Sequence, residues 1–397
     1  ACCSNTHVLA AGFSMPRNSS YTVFLRSAIP LLMLGSSVGR LDGQQMTTKR
    51  TLRIDAAAEG LTEIGSLVVG RDGVIMITQP QDFRVLVFDR AGRRVASIGR
   101  KGGGPGEFQA IRGVGRFGDG FWVEDPVLRR FTIIGANLGV SRIVPYPILA
   151  VPQDGTRGWA QTMPMALRPD GSVIFTGRLQ GEGTLPSWHP QLPVEGAYIF
   201  RVSATGAFLE LLARHATPVC HTQITETRKA TIPFCSEPLT AYSPDGSLSL
   251  VVDFGMQAGR DKRYSMRIVG AGRRAPAEAF ISFEPLAIPP SIADSALRAR
   301  AALLRIDPGE FLRRMKAPSY YAPVVAAIVA NDGSAWLEET RVGREHRWVA
   351  RDPLGKVTRR VTLPGNARLV AVESGVLWAV EMDGDGLEHV VTFRVDR

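Results

Sequence analysis

The sequence predicts an all-β protein: a six-bladed β-propeller with four-stranded blades and one short helical insertion. Three observations lead there. Short β-rich runs recur in groups of four, punctuated by Asp-Gly turns. The last group lacks one strand, and a matching strand stands near the beginning of the chain. Glycine (41) and proline (26) are frequent but scattered, as many turns between short strands require.

The first group, residues 64–99, reads IGSLVV, a turn at Arg71-Asp72-Gly73, VIMIT, RVLVFD, a second turn and VASIG. Asp-Gly between two apolar runs is a strong hairpin signal. The order recurs over residues 110–144 with Asp119-Gly120, 165–213 with Asp170-Gly171, and 239–283 with Asp245-Gly246. It recurs again over 324–363 with Asp332-Gly333 and over 367–397 with Ser374-Gly375. The sixth group ends after three strands, and residues 50–56, RTLRIDA, supply the fourth. Radial closure of this kind leaves few exposed sheet edges. Residues 46–397 are therefore read as one propeller domain, with the helical insertion at 289–317.

That insertion contains SIADSALRARAALLRI, with Ser291 as N-cap and Leu297, Ala301 and Leu304 on one stripe. A second helical turn, DPGEFLRRMK, places proline at its first position. Connections after the first and third strands are short. Those after the second and fourth strands, residues 145–164, 178–197, 214–238 and 284–322, are long. Alternate connections of a meander lie on opposite faces, so the long ones gather on one face, the expected binding face.

The N-terminal residues read as an address rather than as fold. After Met15, Arg17 and Arg26 precede an apolar stretch from Ser27 to Val38, followed by small residues. That is the layout of a secretory signal peptide, and residues 1–45 are set apart on that ground. Ala1-Cys2 admits a second reading, the tail of a lipoprotein signal. No membrane span is expected, since no window is long and apolar enough. An exported chain, periplasmic or extracellular, reads Cys220 and Cys235 as one disulfide closing about 15 residues and contributing about 3 kcal/mol. Zinc is the competing reading because His221 adjoins Cys220, but C-x-x-C spacing is missing.

The net charge of +10 invites a nucleic-acid partner. Only six of the basic residues are lysines, and no five basic residues run together. A basic surface on a monomer that binds no nucleic acid is the expectation. The pattern G-x-G-x-x-G at Gly113, Gly115 and Gly118 leads into a strand, not a helix, so it is no dinucleotide site. The Gly-rich run GRKGGGPGEF, Gly99 to Phe108, likewise enters a strand and lacks a Gly-Lys-Ser/Thr ending. It reads as a crossover between blades, with Phe108 wedged between them.

The stretch from Ile98 to Gly139 resembles the repeat of NHL-type six-bladed propellers. Gly102, Gly106, Phe108, Asp125 and Gly139 occupy the corresponding places, and the likeness is strongest over residues 60–144. The proline usual after Gly-x-Phe is replaced by Ala110-Ile111. The resemblance implies the fold and little about activity, because propellers host unrelated functions. Gluconolactonase-like lactonases hold a metal among carboxylates at the central channel, and NHL-like lyases bind zinc through histidines. Here His189, His215, His221, His346 and His389 share no blade position.

Residues expected at the insertion-rich face are Asp82, Arg100, Lys101, Arg112, Asp125, Asp253, Glu338 and Glu381, as ligand-binding candidates. In Glu124-Asp125 and Glu338-Glu339, strand alternation points only one carboxylate of each pair at the channel. Asp125 and Glu338 are the candidate ligands for calcium or another divalent cation. Gly102, Gly106, Phe108, Cys220 and Cys235 are assigned structural roles. The functional expectation is a binding or interaction module for an unidentified protein or small ligand. The alternatives are a metal-dependent lactonase or lyase, and a carbohydrate- or polyanion-binding surface.

Overall fold

The structure, a computed structural model, describes residues 45–46, 48–149, 158–180, 196–217, 220–224, 229–254, 262–270, 278–341, 343 and 345–395. The proposed signal segment and most of residues 1–45 lie outside them. The strands form six antiparallel four-stranded blades. Blade 1 comprises Leu67–Val69, Ile75–Gln79, Arg84–Phe88 and Arg94–Ile98. Blade 2 comprises Gly113–Phe117, Gly120–Asp125, Arg130–Ile134 and Val140–Pro145. Blade 3 comprises Gly158–Leu167, Val173–Gln180, Ala197–Val202 and Phe208–His215. Blade 4 comprises Leu239–Tyr242, Leu248–Asp253, Arg263–Gly270 and Ala279–Ser282. Blade 5 comprises Val324–Val329, Ala335–Glu339, His346–Arg351 and Val357–Leu363. Blade 6 comprises Ala367–Glu373, Val376–Met382 and Glu388–Val395, with Thr48–Ile54 as its outermost strand.

The blades follow chain order around the ring, and first strands adjoin one another: blade 1 with 2 and 6, 2 with 3, and 5 with 4 and 6. The apolar side chains sit between blades rather than inside any one of them. Val68, Met76 and Val87 of blade 1 pack with Phe108, Phe121 and Ile134. Trp336 and Trp348 of blade 5 pack with Leu369, Leu377 and Phe393 of blade 6. Neighbouring blades cover both faces of the second strands, so GFWVED is buried at every position, while the outermost strands stay exposed.

Local chemistry explains the repeated turns. Asp72, Asp170, Asp245 and Asp332 each accept the amide two residues on through Oδ1. In blades 1, 3 and 5 the turn between third and fourth strands ends on a glycine that packs against the outer part of the preceding blade. A Cβ at Gly206 (φ +91°) would lie 1.9 Å from the Ile148 carbonyl oxygen, and one at Gly355 2.9 Å from Ala279 Cβ. Positive φ and close approach both demand glycine there.

Several boundaries differ from expectation. The ring-closing strand is Thr48–Ile54, not 50–56, because Asp55 stops it by capping the short helix α1, Ala56–Glu59. Blade 3 begins at Gly158, earlier than 165; two bulges let Pro164 sit in an inner strand. Helix α2, Pro290–Leu304, has Pro289 rather than Ser291 at its N-cap, with no side-chain cap. Proline pre-sets the first helical φ, so the helix begins ahead of the serine. Helix α3, Pro308–Arg314, starts on the expected proline, capped by Asp307. The connection 214–238 contains a small hairpin, His221–Gln223 with Lys229–Thr231. Gln45–Met46 adds in parallel to the outer strand of blade 5.

Candidate functional site

The second strand of each blade ends at the insertion-rich face, and most of the acids singled out in the sequence cluster at those ends. Each is engaged by a neighbour. Glu124, 3% exposed, receives both arms of Arg112, with Nε at 2.8 Å from Oε2. The Tyr146 hydroxyl donates to it at 2.5 Å, and burial, reinforced by this neighbouring charge, pushes the phenol above its ordinary pKa. Arg112 also donates to the Pro164 carbonyl of blade 3 at 2.7 Å. Asp125, fully buried, accepts the amides of Gln109, Val127 and Leu128 at 2.7, 3.0 and 2.9 Å. It holds the Gly-rich crossover and the following turn in place.

Glu381 takes two bonds from Arg50 of the ring-closing strand, at 2.5 and 2.7 Å, with Arg53 at 3.8 Å. Glu338 bonds His346 Nδ1, which lifts the imidazole above its usual pKa. Glu339 lies 3.2 Å from Arg347. Asp253 accepts the Ala216 amide at 2.7 Å. Asp82 is paired with Arg84 at 3.0 Å and bonded by Thr62. Arg100 reaches Glu107 at 2.7 Å, and Lys101 lies over the Phe83 ring, 5.3 Å from its centre. The candidates therefore stand in separate blades, each in its own local pair. Among the described residues no three acidic, histidine or cysteine side chains converge as a metal site.

Burial pulls His215 the other way from His346, below its ordinary pKa, with nearby Arg178 and Arg267 disfavouring its charge further.

The crossover Gly99–Phe108 is a built loop. Arg130 donates to the carbonyls of Gly103, Gly104 and Glu107, at 3.0, 2.7 and 2.8 Å. Glu107 accepts the Gly104 amide at 2.8 Å. Phe108 is fully buried, and its ring fills the space where a side chain at Gly99 would stand.

Two assemblies lie outside the sequence-based expectations, apart from the disulfide within the second, which was expected. The first lies at the opposite end of the channel. Arg116, 6% exposed on the inner strand of blade 2, donates to the Val69 carbonyl of blade 1 at 2.6 Å. Its guanidinium lies 2.7 Å from Glu373 of blade 6, and its amide reaches the Pro244 carbonyl of blade 4 at 2.6 Å. Asn331 of blade 5 adds a bond to Glu373 at 3.2 Å. The available signal was one charge of each sign beside turns of otherwise apolar inner strands. The second assembly is a cap on the insertion-rich face. The hairpin's Ile224 and Ala230 pack with Leu297, Ala301, Phe311 and Met315 of the helical insertion in a small core of their own. Cys220 and Cys235 form a disulfide at the base of the hairpin.

Among the described residues no helix is long and apolar enough to cross a membrane. No protein-family model matches the chain, and no curated protein matches it. Solved structures of similar shape include a Bacteroides fragilis protein proposed to be exported. It is 12% identical, covering 89% of this chain and 96% of its own, with a TM-score of 0.47. A member of the duf4221 family from Bacteroides vulgatus is 10% identical over 89% and 100% of the two chains, TM-score 0.45. A gluconolactonase of Xanthomonas campestris is 12% identical over 90% and 99%, TM-score 0.40. At such identities no activity is carried across.

Proposed function

We propose that this chain is an exported propeller of the NHL-like type whose insertion-rich face binds a small ligand or a protein partner. The observation that carries the reading is the cap: insertions from two different connections meet on that face and share an apolar core. Among the described residues, the turns of the other face carry no helix or hairpin of their own. Elaboration of one face of a rigid repeat scaffold is how such folds acquire binding surfaces. The acids of that face favour binding over metal catalysis, because arginine, histidine or backbone amides already hold them. A bound calcium would have to displace those partners.

The test is a binding screen followed by amide hydrogen exchange. A ligand is expected to protect residues of the crossovers and cap, among them 99–112, 221–231 and 290–314. Protection confined to the turns of the opposite face would overturn the assignment. Calcium titration is the second arm. Tight binding abolished by Glu124→Gln or Glu338→Gln would instead favour a metal-dependent lactonase or lyase. Export is checked from the mature N-terminus of secreted protein, expected near residue 43–46. A secreted form that begins before Met15 would rule out the signal-peptide assignment.

A further inference from the structure

We infer that the Cys220–Cys235 disulfide is a redox latch for the cap: intact, it holds the hairpin against α2 and α3; reduced, it frees the hairpin while the six blades stay folded.

The hairpin cannot stand by itself. Its strands, His221–Gln223 and Lys229–Thr231, have three residues each, and an isolated two-stranded ribbon is marginal in water even when longer. Its flanks are joined as well. The Ile232 amide donates to the Cys220 carbonyl at 2.8 Å, and the disulfide joins α-carbons 5.5 Å apart across 15 residues. The partner layer is equally discrete. Residues 286–288 and 319–321 form a neck, with Ile288 N donating to Ser319 O and Tyr321 N to Leu286 O at 2.9 and 3.0 Å. Beyond the neck, α2 and α3 present Leu297, Ala301 and Phe311 to Ile224 and Ala230. Arg314 Nη1 adds a bond to the Ile224 carbonyl at 2.8 Å, and the Phe234 ring meets Tyr321 edge-on at 5.4 Å.

This small core shares none of its buried residues with the inter-blade clusters. Cys220 and Cys235 are also the sole cysteines of residues 42–397, so reduction there acts on the cap alone. Cys220 is 1% exposed whereas Cys235 is half-buried, so the proposed route starts at the Cys235 sulfur. A dithiol reductant adds one thiolate to that sulfur and expels the Cys220 thiolate, which takes up a proton. Its second thiol then closes on the mixed disulfide and releases Cys235. Two electrons and two protons reach the protein sulfurs, and the reductant leaves as its own disulfide. Freed of the cross-link, the 15-residue loop regains chain entropy equivalent to about a 100-fold shift in the opening equilibrium.

The latch does not depend on the binding reading; only its consequence, that reduction changes access to the insertion-rich face, rests on it. Hydrogen exchange without ligand therefore separates the two. The oxidised chain is compared with chain reduced by dithiothreitol and alkylated, and with the double variant Cys220→Ser, Cys235→Ser. Peptide mapping establishes the state of both cysteines. The expected result is exchange up to about 100-fold faster over 221–231, faster exchange over 290–314, and unchanged blade amides. Unchanged cap exchange after complete reduction overturns the latch. So does acceleration spread through the blades, which would make the disulfide a staple of the whole propeller.

Discussion

The two ends of the channel are made in opposite ways. At one end, short Asp-Gly turns repeat blade after blade, and a buried arginine ties its own blade to three others, with Asn331 of a fifth bonded to its partner Glu373. At the other, acids are held variously by arginine, tyrosine, histidine or backbone amides, and the cap is built from two of the long connections. Regular turns close a ring cheaply in sequence, since each needs only an Asx bond and a glycine. The irregular end is where local differences between blades accumulate.

That contrast can be broken from the scaffold side first. Phe108→Ala removes a fully buried ring from the contact between blades 1 and 2 and is expected to lower stability by about 3–5 kcal/mol in urea melts. A loss under 1 kcal/mol would mean that the crossover does not lock the blades. Arg116→Ala is expected to lose about 2–3 kcal/mol, below the ~3–5 of a fully buried pair because Glu373 keeps some solvent. Adding Glu373→Gln should restore part of that loss; a double variant worse than the sum of both would argue against a direct pair. Gly206→Ala should lose about 1–3 kcal/mol, since both its φ and the Ile148 carbonyl oppose a side chain.

The smallest effects are expected at the insertion-rich face and depend on pH. His346 titrates above its ordinary value because Glu338 holds the charged ring. Its stabilisation is therefore complete below about pH 6.5 and is lost as pH rises through the raised value. His215 has the opposite sign. Burial depresses its pKa, so the associated stability is complete above about pH 6.5 and declines as pH falls toward the depressed value. Imidazole titrations followed by NMR should place the two histidines on opposite sides of 6.5. Equal midpoints would remove the electrostatic distinction drawn between these sites.

How much was legible beforehand follows from the range of the interactions. The blades were readable because alternation, Asp-Gly turns and turn glycines are local and repeat six times. Errors fell where one residue's neighbours in space overrode its neighbours in sequence. Pro164 reads as a strand breaker, yet bulges on an inner edge accommodate it. Ser291 reads as a cap, yet two prolines ahead of it had already begun the helix. The acids at the ends of the second strands could be named from the sequence, but their partners were invisible: Glu381 meets Arg50 across 331 residues of chain.

Local stereochemistry, then, settled the fold class and the number of blades, through periodicity and turn chemistry. The pairing of Cys220 with Cys235 followed instead from their being an even pair in a chain read as exported. Tertiary packing decided everything that depends on which surfaces meet. It gave Asp125 three backbone amides and Glu124 an arginine, and it set Arg116 across the ring. It also joined two distant insertions into a single cap, because apolar area is buried by whatever lies nearest in space, whatever its distance along the chain.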